Sequence, residues 1–238
     1  MNAAEAGFGE RLASVRTSID AAARRAGRAA SDVTIVAVTK TFPPEAVDCA
    51  LAAGLADVGE NYVQEARAKR MRVSRGRWHL IGGLQHNKVR AAVATFDRLH
   101  TIDDARLAVA ADAAARAAGR RLPVLVQVKV ARDDAKRGVD TDGARELCAE
   151  VLRLPGLALD GLMTIGALDD DPETTRPGFR LLREVRDDVA ARLGVELPHL
   201  SMGMSDDFAV AVEEGATLVR LGRVLFGTRQ PAPWREGS

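Results

Sequence analysis

Cysteine is nearly missing from this sequence: Cys49 and Cys148 are the only two in 238 residues. They lie far apart and form no CxxC pair, so neither a disulfide scaffold nor a structural zinc site is supported. A charge excess is missing too. The 34 Lys and Arg stand against 33 Asp and Glu, a formal +1, so net charge makes no case for nucleic acid or an anionic membrane as partner. No run approaches the ~20 apolar residues of a membrane span. The N-terminal MNAAEAGFGERLASV carries Glu5 and a Glu10–Arg11 pair and does not read as a signal peptide. A cytoplasmic protein is expected. The patterns GxGxxG, GxxxxGK[ST] and GxSxG are missing, which removes the anchors for dinucleotide, P-loop and hydrolase-elbow readings. The histidines, 79, 86, 100 and 199, include no HxxxH pair, so no metal site is expected. Lysine is scarce beside arginine and occurs only at 40, 69, 88, 129 and 136. The basic run RAKRMRVSRGR (67–77) lacks interleaved aromatics and reads as a solvated helix face. Cys148, beside Leu147, Val151 and Leu152, reads as core.

What is present is a regular alternation. Hydrophobic residues make up 47% of the chain, enough for a full core. Phe8, Leu12, Val15, Ile19 and Ala23 recur at helical spacing, with Gly27 as a stop. Strand-like runs then follow at 33–38, 56–59, 78–82, 98–102, 122–130, 157–165, 197–201 and 217–221. Helix-sized segments separate them, among them 43–54, 62–73, an Ala-rich stretch ending at Gly119, 144–154, 174–193 and 208–215. Strict strand–helix alternation implies a parallel sheet, and eight units predict a single (β/α)8 TIM-type barrel with an additional N-terminal helix. An open doubly wound sheet is the alternative. No linker or composition break divides 1–238, so one domain is expected.

Barrels of this kind build their sites from loops at the C-terminal strand ends. Those loops carry Thr39-Lys40-Thr41, Gly59-Glu60-Asn61, Gly82-Gly83-Leu84-Gln85, Thr164-Ile165-Gly166, Ser201-Met202-Gly203-Met204-Ser205 and Gly222-Arg223, with Arg220 on strand eight. Lys40 ends an apolar strand, where desolvation favours the neutral, nucleophilic amine used in Schiff bases. The alternative is a snorkelling lysine with its ammonium in water. Ser201, Gly203, Ser205, Gly222 and Arg223 suit the phosphate position of barrels. Ser205 also reads as the N-cap of the helix that begins DDFAV.

Seven segments then carry a resemblance through nearly the whole chain: VAVTKTFP around Lys40, VGENYVQEA (58–66), WHLIGGLQHNK (78–88), HTID (100–103), GLMTIGA (161–167), LSMGMSDDF (200–208) and VRLGRVLFG (219–227). Together they resemble the YggS/PROSC family of pyridoxal-phosphate (PLP) homeostasis proteins. The resemblance implies a barrel similar to the N-terminal domain of alanine racemase, with PLP held as a Schiff base on Lys40. It implies that Arg220 faces the pyridine nitrogen and weakens PLP as an electron sink. It places Ser201, Ser205, Gly222 and Arg223 in phosphate-binding segments and Asn61 in a pocket-lining one. Gly83 stands where the family commonly has proline, His86 where it has serine, and KVARDDAKRG (129–138) lacks the usual asparagine and glutamate.

Two functions remain in view. One is a non-catalytic PLP carrier that buffers or delivers the cofactor, with PLP-dependent apo-enzymes as its partners and a monomer as its state. The other is a PLP-dependent amino-acid racemase. Racemisation needs acid–base groups on both cofactor faces, and the related racemases take the second, a tyrosine, from a C-terminal domain of a partner subunit. Tyr62 is the only tyrosine here, and the sequence runs only about 17 residues beyond the last strand, so the carrier is the expectation.

Overall fold

A computed structural model describes residues 3–130, 137–166 and 171–227. Most of the atypical loop after the fifth strand (131–136, with Lys136) and the tail from 228 lie outside the described residues.

Eight parallel strands close on themselves: β1 (Thr34–Val38), β2 (Asp57–Glu60), β3 (Arg77–Leu80), β4 (Arg98–Ile102), β5 (Leu122–Lys129), β6 (Leu157–Met163), β7 (His199–Ser201) and β8 (Leu218–Leu221). Each pairs with its successor, and β8 pairs back onto β1 with Val219 opposite Ile35. The fold is a TIM-type barrel, and the open sheet is excluded by that last pairing. A two-residue strand, Val139–Asp140, adds to the end of β5. Helices α2 (Pro44–Ala52), α3 (Val63–Arg70), α4 (Val89–Thr95), α5 (Ala105–Ala117), α6 (Ala144–Leu152), α7 (Arg176–Leu193) and α8 (Phe208–Glu213) follow strands in turn, with α1 (Ala3–Arg25) before them and α9 (Arg223–Phe226) after β8.

Several expected boundaries move, for local reasons. The seventh strand starts at His199 rather than 197, since Pro198 has no N–H for the ladder. The second strand runs 57–60 instead of 56–59. The first ends at Val38, so Lys40 sits in a turn two residues beyond it.

Strand alternation sorts the interior into layers. Ile35 and Ala37 face the helix-side core, whereas Val36 joins Leu125, Met163 and Leu218 in a separate buried cluster inside the barrel. Side chains two residues apart share a strand face. The inner face of β1 therefore continues from Val36 to Val38 and then Lys40, and that of β8 from Leu218 to Arg220 and Gly222. Below the cluster, first residues of six strands (Thr34, Asp57, Arg77, Arg98, His199, Leu218) line a cavity of about 240 Å³ at the base.

The N-terminal helix is an addition to the barrel. Its stripe of Phe8, Leu12, Val15 and Ile19 is buried, and Phe8 packs on Phe226 with ring centroids 5.1 Å apart. Leu12→Ala would leave a cavity there and should cost about 2–5 kcal/mol in urea unfolding. A loss below ~1 kcal/mol would show that α1 rests loosely on the barrel.

Candidate functional site

A cavity of about 250 Å³ at the C-terminal strand ends is lined by Lys40, Asn61, Ser205, Arg220, Gly222 and Arg223. Six of the seven expected binding residues thus meet around one space. Val38, Ile81, Ile165 and Met204 form its apolar walls. Ser201 is the seventh and does not line it. Fully buried, its Oγ accepts from Arg220 Nη1 at 2.8 Å and bonds His100 Nδ1 at 2.9 Å. A wider recess of about 570 Å³ lies between α1 and the barrel base, but none of the expected binding residues borders it.

Arg220 is 4% exposed. Its Nη2 donates to Thr164 O at 2.8 Å. Burial lowers its pKa to about 10, with Asp207 opposing, so it stays a cation at neutral pH.

The turn that carries Lys40 is gripped from behind. Buried Lys69 on α3 donates to Thr39 O at 2.6 Å, to Glu60 Oε1 at 2.7 Å and to Glu65 Oε1 at 2.7 Å. Thr39 Oγ1 donates to Glu60 Oε1 at 2.7 Å, and Thr41 N donates to Glu65 Oε1 at 2.6 Å. Thr41 has φ 68, a left-handed conformation that a β-branched residue rarely adopts. Hydrogen bonds on both sides of Lys40 hold that turn. Lys69 belongs to the basic run read as a solvated face; Arg67, Arg72, Arg75 and Arg77 are exposed as expected, and the structure corrects the reading at Lys69 and Arg70. Lys69 is buried, and Arg70 pairs with Asp97 and covers the Trp78 ring at 6.0 Å. The Glu65–Lys69 spacing of four on a helix was the available signal.

Around the rim, backbone contacts decide which residues fit. A Cβ on Gly82 would lie 2.5 Å from the Asn61 carbonyl oxygen, so only glycine lets β3 pass that turn. At Gly83 a Cβ would collide with the Arg137 guanidinium, which reaches Asp103 at 3.4 Å. Two of the three departures from the expected pattern, glycine at 83 and an altered loop before 138, therefore touch each other. Ser205 is not the N-cap of α8. Asp207 holds that position, and Ser205 Oγ accepts from Val224 N at 3.3 Å. Arg223 is ion-paired with Asp206. Cys148 is core, as expected, its thiol pushed up to about 12 by burial.

Three comparisons with known proteins bear on this site. Residues 11–230 match the family described as "Alanine racemase, N-terminal domain". The pyridoxal phosphate homeostasis protein of Aquifex aeolicus is 41% identical over 223 residues, 93% of this chain and 98% of that one. That of Escherichia coli K12 is 41% identical over 227 residues, 92% and 95% of the two chains. The structure of PipY from Synechococcus elongatus PCC7942 with PLP bound superposes with a TM-score of 0.82 at 36% identity, covering 92% of this chain and all of that one, 100%.

Glu60 makes the gripping network pH-dependent. Burial raises its pKa to about 7, with Glu65 adding to the effect and Lys69 opposing it. A carboxyl raised in the fold binds its proton more tightly there, so its contribution to stability is complete below about 4.5, the ordinary value, and is lost as pH rises through about 7. Urea stability should decline across that window, and Glu60→Gln should flatten the decline. An unchanged slope in Glu60→Gln would assign the titration to another group.

Proposed function

This chain belongs to the family of pyridoxal phosphate homeostasis proteins, and we propose that it binds PLP in the cavity bordered by Lys40 and Arg220 and acts as a non-catalytic, monomeric carrier of that cofactor. One observation carries the reading: a lysine and a buried, cationic arginine border the same small cavity, between apolar walls that suit a flat ring. The donor set fits the group. Lys40 offers an amine for its aldehyde. Arg220 offers N–H donors to an unprotonated ring nitrogen, because a guanidinium donates and never accepts. Ser205 lies against the turn of Gly222 and Arg223 on the same cavity, where a hydroxyl, a backbone without a side chain and a cation suit a phosphate. Asn61 supplies an amide at the edge. Ser201 contributes through Arg220 rather than by touching the ligand.

Bound PLP offers an aldehyde that condenses with amines and a ring that can draw electrons from a substrate carbon. This chain's residues restrain the second property. Arg220 keeps a proton donor, not an acceptor, against the ring nitrogen. A racemase needs a second base opposite the lysine. Tyr62, the only tyrosine, is 50% exposed and does not border the cavity. Asp206 borders it but is engaged by Arg223. Delivery to PLP-dependent apo-enzymes in the cytoplasm is the use that such a holder fits.

Borohydride reduction of the PLP-loaded protein should fix the cofactor on Lys40, and peptide mapping that finds it chiefly on Lys88, Lys129 or Lys136 would remove the assignment. Pyridoxal without phosphate should bind far more weakly, each lost charge-assisted hydrogen bond costing about 1.5–3 kcal/mol. Equal affinity for the two compounds would count against the phosphate wall.

The loaded protein should also turn over no amino acid. With L-alanine in deuterated water, slow α-proton exchange without D-alanine is expected. Sustained D-alanine formation near ~1 s⁻¹, the low end of enzyme turnover, would establish the racemase instead.

A further inference from the structure

Behind Arg220 a file of buried polar side chains crosses the whole barrel, and none of the roles above uses its far end. Arg220 Nη1 lies 2.8 Å from Ser201 Oγ, which lies 2.9 Å from His100 Nδ1. His100 Nε2 lies 2.8 Å from His79 Nδ1, and His79 Nε2 lies 2.8 Å from Asp57 Oδ1. Asp57 opens the base of β2 and is gripped there by Arg77, from Nε at 2.8 Å and Nη2 at 2.6 Å. Ser201, His100 and His79 are each at most 1% exposed.

With both imidazoles neutral, elementary chemistry leaves this file one direction. A guanidinium only donates, so Ser201 must accept from Arg220, and its own O–H is left to donate to His100 Nδ1 when that nitrogen is a lone pair. An ionised carboxylate only accepts, so His79 must donate to Asp57 through Nε2. Burial opposes the charge on Asp57, but hydrogen bonds from His79 and Arg77 outweigh it and hold the carboxyl at about 2. His79 Nδ1 is then a lone pair, and His100 Nε2–H must fill it. Burial lowers the pKa of both rings and favours the neutral form; two neutral rings in this file are both Nε2–H, which leaves His100 Nδ1 to accept from Ser201.

We propose that Asp57, His79, His100 and Ser201 are positioning residues for Arg220, a one-way hydrogen-bond chain that ties the pocket's cation to a carboxylate at the opposite end of the barrel. On the ligand side this rests on the PLP reading above. With Nη1 and Nη2 each committed, to Ser201 and to Thr164 O, the plane of the guanidinium is set. Its remaining N–H donors are therefore aimed before a ligand arrives, and less ordering is needed on binding. Polarisation runs along the file, each donor strengthened by the acceptor beyond it. The negative end at Asp57 thereby helps to keep a buried cation at the positive end. A residue at the barrel base becomes a determinant of cofactor affinity at its mouth.

The test begins on the ligand-free protein. Nitrogen-15 NMR of the imidazoles should show His79 and His100 both as neutral Nε2–H tautomers, and either ring in the Nδ1–H form would overturn the chain. Asp57→Asn then removes the charge and keeps an acceptor. Asp112→Asn is the control: that carboxylate is also buried and bound to an arginine, Arg116, but lies outside the file. Asp57→Asn should speed hydrogen exchange of the Arg220 guanidinium by about tenfold and raise the PLP dissociation constant by about tenfold, the scale of one weakened charge-assisted hydrogen bond. Asp112→Asn should do neither at matched loss of stability. Equal effects from the two variants would reduce Asp57 to a structural role. If Asp57→Asn does not fold, Arg77→Gln, at a side chain 66% exposed, loosens the same carboxylate and is held to the same two measurements. Should the unaltered protein bind no PLP, the ligand reading falls, while tautomers and guanidinium exchange still decide the chain.

Discussion

A guanidinium inside a barrel of aliphatic side chains has lost its water, and it persists there only if hydrogen bonds replace that water. Arg220 imposes this constraint on the rest of the interior. Val36, Leu125, Met163 and Leu218 fill one part of the lumen and make it apolar. The remaining inner positions of β3, β4 and β7 carry His79, His100 and Ser201, which lead from the guanidinium down to a carboxylate. The barrel is thus half grease and half polar file. Its polar half ends in charges of opposite sign, Arg220 above and Asp57 below.

Lys40 is held by a second and independent network. The buried cluster of Lys69, Glu60 and Glu65 never contacts the cavity; it binds the backbone of Thr39 and Thr41 instead. An unusual conformation at Thr41 survives because the surrounding hydrogen bonds over-determine it. Two carboxylates share one ammonium, and among the described residues Glu60 Oε2 and Glu65 Oε2 are buried without a partner. Burial lifts Glu60 toward neutrality, and the charge of Glu65 adds to it. The cavity's lysine and arginine are therefore positioned by different chemistry: a polarised file for the arginine, an ion cluster for the lysine.

Much of this was readable in the residues. Short β-branched runs between helix-sized segments identified the eight barrel strands, because a strand covered on both faces has no solvent side to mark with polar residues. The loops at the strand ends then named Lys40, Asn61, Ser205, Arg220, Gly222 and Arg223, and these border one cavity. Less legible were residues whose surroundings depend on a neighbour distant in sequence. Lys69 looked like part of a solvated basic face, since only the packing of α3 against the turn after β1 hides it. Ser201 looked like a ligand donor, since nothing local reveals that Arg220, one strand over, claims its oxygen.

The sequence by itself determined the alternation and the set of chemical groups at the strand ends, because period and residue type are local properties; closure into a barrel was decided by the pairing of β8 with β1. Only the tertiary structure decided which polar side chains meet. Asp57, His79, His100, Ser201 and Arg220 come from five strands, and their hydrogen bonds exist only when the barrel closes and brings β2, β3, β4, β7 and β8 to one axis. Direction along that file needed the structure as well. A histidine in a sequence can donate from either nitrogen, and only the fixed neighbours on each side leave it a single choice.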